Sequence, residues 1–276
     1  MPYHIDFSKI EDKKLSGTEL SLMSVLVALS SSIGPVTGGF IAKHFGITTV
    51  FCIAIAVLLF AIRPLLQTRE AVQQHLIHWR AIEWRHLPRS ALSFGGMGMD
   101  HAANLIIWPL FIFLVAFREN PYAGVGIVMS ISLGLSIITD YGIGKWIDSG
   151  RRLLVKRVSA GIAIITHSLR QFGLTPLRIL GFNIAGEISD AGVVIASTSE
   201  LYQHVNDHRI EYIAVHESLL NLMQLLVWGI ILIASYYVTE SQAVVTGFWL
   251  TGLLMLPLLF KPKQRERGLP NIYARH

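Results

Sequence analysis

The chain has 276 residues, 52% of them hydrophobic against 15% charged, and its mean hydropathy is +0.52. A soluble domain carries about a quarter charged residues, so an ordinary soluble globule is excluded, and the long apolar blocks exclude disorder and collagen-like repeats. The single cysteine, Cys52, excludes an intramolecular disulfide and a cysteine-rich metal site.

Crossing roughly 30 Å of hydrocarbon takes about 20 mostly apolar helical residues, and the chain offers eight such segments in order. Residues 20–42 and 44–62 are uncharged spans apart from Lys43 between them, and the polar residues before them hold no signal-peptide core, so the spans themselves are expected to drive insertion. Residues 63–90 form the one long connection, in which Val72, Leu76 and Trp79 share a helical face amid basic and polar residues, as in a helix lying on the inner leaflet. The third span, 91–117, carries Asp100, and the fourth, 120–139, is uncharged. The fifth, 153–172, is long enough only if Lys156, Arg157 and Arg170 snorkel toward the two interfaces. The sixth, 176–199, carries Glu187 and Asp190, and 218–239 and 241–260 complete the set.

Cytoplasmic loops are enriched in Lys and Arg, and eight spans place nineteen of the 23 basic residues on one side of the membrane. Both termini, the 63–90 connection and the basic tail 261–276 are therefore expected in the cytoplasm, with the chain multi-pass in the plasma or inner membrane. The net charge of +5 and the pI near 9.4 follow from the same loops, and no nucleic-acid motif accompanies them.

Two segments carry motifs. In the first span Ser30, Gly34, Gly38 and Ala42 stand four apart, with Pro35 inside and Gly39 adjacent. Small residues at this spacing make a groove for a neighbouring helix, and Pro35 removes a backbone hydrogen bond and favours a bend. Plain helix packing is the competing reading of the same residues. After the fourth span comes GIGKWIDSGRRLLVKR, with Gly144 and Asp148 four apart and Arg151 and Arg152 after Gly150. The glycine permits close contact, and the acid can cap a neighbouring helix or pair with an arginine. A basic cytoplasmic turn would explain the arginines alone.

Together these two segments resemble the major facilitator superfamily of secondary transporters. That family's fifth helix carries G-x-x-x-G-P-x-x-G-G, seen here from Ser30 to Gly39 with serine at the first glycine. The loop after its eighth helix often carries G-x-x-x-D-R/K-x-G-R/K-R/K, seen here from Gly144 to Arg152, one residue short and without the base after the acid. Both offsets imply that four helices are missing from the front. The resemblance thus implies an all-α integral membrane protein with eight transmembrane helices: a two-helix remnant of the first bundle in 1–62, a cytoplasmic linker in 63–90 and a complete six-helix second bundle in 91–260. It further implies transport of a small solute by alternating access, with efflux favoured because the fifth-helix motif is commoner in exporters.

Acids inside a bilayer cost roughly 2.5 to 3.5 kcal/mol on insertion scales and are default functional candidates. Asp100 and Asn104 face the same way in the third span, with His101 adjacent; Asn183, Glu187, Asp190 and Ser197 make a polar stripe through the sixth. A third stripe is Glu217, Asn221 and Gln224. Such stripes can line a water-filled cavity in which carboxylates exchange protons as the cavity switches sides, or they can pair across helices and fix packing. His167 and His216 are expected to be ordinary polar contacts. The partners are then membrane lipids, a small-molecule solute and protons, with no cofactor and no metal. Two other classes remain: a truncated remnant that transports nothing, and a metal-dependent membrane oxidase suggested by His204 with His208 and His75 with His78. The oxidase would need many clustered histidines, and the chain's 11 are scattered.

Overall fold

The computed structural model describes residues 16–67, 87–117, 121–204 and 209–259, and no strand occurs among them. Helix α1 (Ser16–Phe45) is followed at once by α2 (Ile47–Gln67). Gly46 makes the break between them: it sits at φ 82° and its N–H bonds the carbonyl of Ala42 at 3.0 Å, the left-handed stop that favours glycine. Helix α3 starts as Leu87–Ala102 and continues through a π-helical turn at Ala103–Ile107, the α-helical Trp108–Phe111 and a second π-helical turn at Ile112–Ala116. Pro109 lies between the two turns, and its missing N–H and ring, which act on the carbonyl of Leu105, favour the widened ladder of the first. The amphipathic helix expected around Val72, Leu76 and Trp79, the N-terminal lysines and the basic tail lie outside the described residues.

Helix α4 (Pro121–Trp146) runs into a π-helical turn, Ile147–Arg151, in which Gly150 takes φ 83° and redirects the chain into α5 (Arg152–Leu169). A short 3-10 turn, Arg170–Phe172, ends α5. Helices α6 (Pro176–His204) and α7 (Arg209–Ser235) follow, and α8 (Glu240–Met255) closes with the 3-10 turn Leu256–Leu259. The first proline of α6 needs no N–H at that position. Thr239 starts α8 through a capping box with Gln242, whose Oε1 accepts from the Thr239 N–H at 3.1 Å.

Six of these helical stretches are long and apolar enough to cross a membrane: Gly17–Phe45, Phe94–Val115, Pro121–Phe172, Pro176–Ser199, Ile213–Ser235 and Glu240–Leu259. The chain is a multi-pass membrane protein. Its surface supports this reading, because Leu, Ile and Phe side chains such as Leu58, Phe60, Ile138 and Leu177 are exposed while Asp100, His167 and Arg170 are buried. Between α3, α4, α6, α7 and α8 the largest core cluster is mostly aliphatic around three aromatic rings, with Trp108 stacked on Phe111 at 5.8 Å and Phe248 edge-on to both.

The most extensive helix pair is α1 on α4, the two helices that carry the motifs. Its close approach is made by glycines at both ends. Gly17 and Gly144 face each other: a Cβ on Gly17 would lie 2.7 Å from the Gly144 carbonyl oxygen, and one on Gly144 would lie 2.6 Å from the Gly17 carbonyl oxygen. At the other end Gly126 of α4 meets the Pro35 backbone, and Gly39 of α1 meets Tyr122 and Ala123. The Val36 N–H, next to Pro35, donates to Ser130 Oγ at 3.0 Å across the pair. The groove expected from Ser30, Gly34 and Gly38 is not this surface. Nothing lies within 4 Å of a Cβ on Gly34, Gly38 looks toward Val50 of α2 at 3.9 Å, and Ser30 is exposed with its hydroxyl turned back to the Leu26 carbonyl. Helix α1 carries two small faces about 100° apart, and α4 packs on the one through Pro35 and Gly39.

Candidate functional site

Asp148 is placed at the base of the α1–α4 pair by the turn that Gly150 creates. Its carboxylate accepts from the backbone N–H groups of Gly17 and Thr18 at 2.8 Å each, and from the Thr18 hydroxyl. The acid thus caps the first turn of α1, where unsatisfied N–H groups and the helix dipole both favour a negative charge; contacts of this kind are worth about 0.5–2 kcal/mol. Of the two roles open to Asp148, capping is the one made. Arg151 is exposed, and Arg152 is half-buried with a partner of its own.

The acids of the spans converge between α3, α4, α5 and α6. Asp100 is fully buried and its Oδ1 lies 2.6 Å from His167 Nε2. The other imidazole nitrogen, Nδ1, meets Arg170 Nη1 at 3.1 Å, and Arg170 Nη2 donates to Asn104 Oδ1 at 2.7 Å. The guanidinium also lies over the Trp108 ring, 4.8 Å from its centroid. Gly186 on α6 makes room for this arginine, since a Cβ there would strike Arg170 Nη2 and lie 3.1 Å from Asn104 Oδ1. The π-helical turn that begins at Ala103 carries Asn104 and presents it to Arg170, a local irregularity of the sort found at functional sites.

Arg170 was expected to reach an interface, and it does not: it is 1% exposed and turned inward. Inside an apolar bundle Asp100 needs a cation more than Arg170 needs the membrane surface, because an unpaired buried charge costs several kcal/mol. Lys156 is likewise buried and partnered. His167, read from sequence as an ordinary polar contact, bridges the acid and the arginine.

The stripe on α6 divides. Asn183 is buried and accepts from Trp108 Nε1 at 2.9 Å, which fixes packing. Glu187 is half-buried and has Asp190, Arg170, Asp140 and His101 as its charged neighbours. Asp190, whose side chain is 25% exposed, lies 3.9 Å from His101 Nδ1 and beside Asp100. Ser197 is buried near the far end of α6. On α7, Glu217 is half-buried, but Asn221 turns its amide back to the Glu217 carbonyl at 2.7 Å and so does not extend a continuous stripe. His216 packs edge-on against Phe94 at 4.2 Å.

Asp140 is the functional candidate that sequence reasoning missed. It ends the uncharged run of the fourth span and so reads as an interfacial residue, yet it is 4% exposed and faces Asp190. The signal was its register, four residues after Ser136 and eight after Ser132, both buried on the same face of α4. His75, His78 and His208 lie outside the described residues, among which no group of three or more His, Cys, Asp or Glu is placed to hold a metal. A separate groove of about 470 Å³ between α5 and α6, lined by Ile165, Leu169 and Phe182 with Arg178 at its edge, is apolar and holds none of these acids. Comparison of the chain with protein-family models, with curated proteins and with solved structures finds no match.

Proposed function

We propose that the chain moves a small solute across the membrane by alternating access, coupled to protons and of the major facilitator type, with Asp100, Glu187 and Asp190 on the pathway. The observation that carries this reading is the convergence of ionisable side chains from α3, α4, α5 and α6 in the interior of an apolar helical bundle. A membrane bundle held only by packing gains little from such a concentration of charge, whereas a pathway needs it.

Eight crossings are part of the proposal. Pro121–Phe172 is 52 residues, far beyond the length of one span, and Gly150 divides it into α4 and α5. The apolar part of α2, Ile47–Arg63, adds the last one. With that count the basic loops and both termini are cytoplasmic. Cysteine introduced at Arg267→Cys is expected to resist an impermeant thiol reagent in intact cells; ready labelling from outside would reverse the orientation.

The test of function uses the chain in proteoliposomes loaded with a pH-sensitive dye and challenged with amines, amino acids, sugars and carboxylates. At least one class is expected to evoke proton movement, and Glu187→Gln, nearly isosteric with glutamate, is expected to abolish it while the protein remains monodisperse. A Glu187→Gln protein with unaltered solute-evoked proton movement would remove Glu187 from the pathway.

The second reading, a remnant that transports nothing, is favoured by one observation. Residues 51–63 of α2 are exposed on every side and nothing lies within 4 Å of a Cβ on Gly34 of α1, so among the described residues no helix covers this sector. Absence of proton movement with every solute class would select this reading.

A further inference from the structure

Asp190 of α6 stands within electrostatic reach of three other acids, Asp100 from α3, Asp140 from α4 and Glu187 from α6. The permanent cation beside them is Arg170, whose Nη1 is on His167, Nη2 on Asn104 and face on Trp108, with Nε buried and without a hydrogen-bond partner among the described residues. Its acidic neighbours are Asp100, Glu187 and Asp190; Asp140 is not among them. Oδ1 of Asp140 is buried without a hydrogen-bond partner among the described residues. A carboxylate 4% exposed, beside other acids and out of reach of the arginine, is an arrangement that an arriving positive charge completes.

The wall on which Asp140 stands has a second property. Ser132 and Ser136 precede it by eight and four residues on the same buried face of α4. Each spends its only hydroxyl proton on its own helix, Ser132 on the Val128 carbonyl at 2.8 Å and Ser136 on the Leu133 carbonyl at 3.0 Å. What these two hydroxyls can still offer a ligand is oxygen lone pairs. The stripe from Ser132 to Asp140 therefore accepts hydrogen bonds and donates none. Asp190, beside Asp140, and His101, 3.9 Å from Asp190, are the part-exposed members of the cluster, with side chains 25% and 38% exposed.

We propose that this cluster of acids binds an organic ammonium ion, with Asp140 as its principal counter-charge and the α4 serines as acceptors for its N–H groups. The proposal rests on the transport reading and narrows it: the solute class is a protonated amine. Sugars lack the charge, and a carboxylate solute would meet four acids with only one arginine, already engaged, to offset them.

The experiment measures binding, not transport. The full chain in detergent is dialysed to equilibrium against labelled phenethylammonium or labelled 3-phenylpropanoate, which share a skeleton and differ in the sign of charge, with empty micelles as the blank. Phenethylammonium is expected to bind saturably and 3-phenylpropanoate is not. Asp140→Asn is expected to weaken phenethylammonium binding at least tenfold at unchanged helix content and elution volume. Should that variant fail to fold, Asp190→Asn is read in its place, with the same expected loss. Equal saturable binding of the two probes, none of the ammonium, or undiminished binding in the folded variant would each overturn the proposal. Ammonium binding with no proton movement in proteoliposomes would support the site and defeat the transport reading instead, so the two failures are separable.

Discussion

Arg170→Met is expected to be the most damaging substitution in the bundle, lowering stability by about 3–5 kcal/mol, the range for breaking a buried charged network by removing one member. The arginine joins the end of α5 to two other helices, α3 and α6. It bonds His167, which holds Asp100 of α3; it bonds Asn104 of the same helix; and it fills the space that Gly186 leaves on α6. Its methionine replacement keeps most of the volume and loses the charge, leaving Asp100 beside Asp190 and Glu187 with no permanent cation between them. The measurement is thermal unfolding in detergent with a double-mutant cycle. Asp100→Asn in the Arg170→Met background should recover a large part of the loss, because an amide beside Asp190 and Glu187 needs no cation. A single Arg170→Met variant within about 1 kcal/mol of wild type would show that Asp100 is not held as an anion by this arginine.

The same arginine shows where the sequence stops being informative. A hydropathy window reads depth along a helix, and depth placed the ends of α1, α3 and α6 to within a few residues of their observed limits. It carries no information about rotation. Arg170 stands near the end of its span, where a long basic side chain can reach either the headgroups or the interior, and the choice is made by Asp100 on another helix. Asp140 was lost for the same reason: it closes an uncharged run, and only the buried Ser132 and Ser136 on its face reveal that it points inward. Spacing was informative where a residue meets backbone. Asp148 four residues after Gly144 sits against a helix start because the glycine admits that helix and the acid meets its N–H groups.

Spacing was least informative in α1, where two small faces compete. Ser30, Gly34 and Gly38 are in register with one another, and so are Pro35 and Gly39 one residue on; periodicity says which residues share a face and not which neighbour meets it. The structure gives the second face to α4, and this distinction can be measured. Gly126→Val is expected to destabilise by about 3 kcal/mol, the upper end for forcing extra atoms into a packed contact. The new Cβ would strike the Pro35 carbonyl oxygen and lie 3.0 Å from its carbon, and backbone cannot rotate away as a side chain can. Separating the helices there would also weaken the Val36 bond to Ser130, and lost packing between helices in lipid has no hydrophobic force to restore it. Gly34→Val, by contrast, is expected to change stability by no more than about 0.5 kcal/mol, since its Cβ meets nothing within 4 Å. Thermal unfolding of the two variants in one detergent compares them directly. A loss from Gly34→Val as large as that from Gly126→Val would mean that α1 is packed on both faces, with its open side covered by a helix outside this chain.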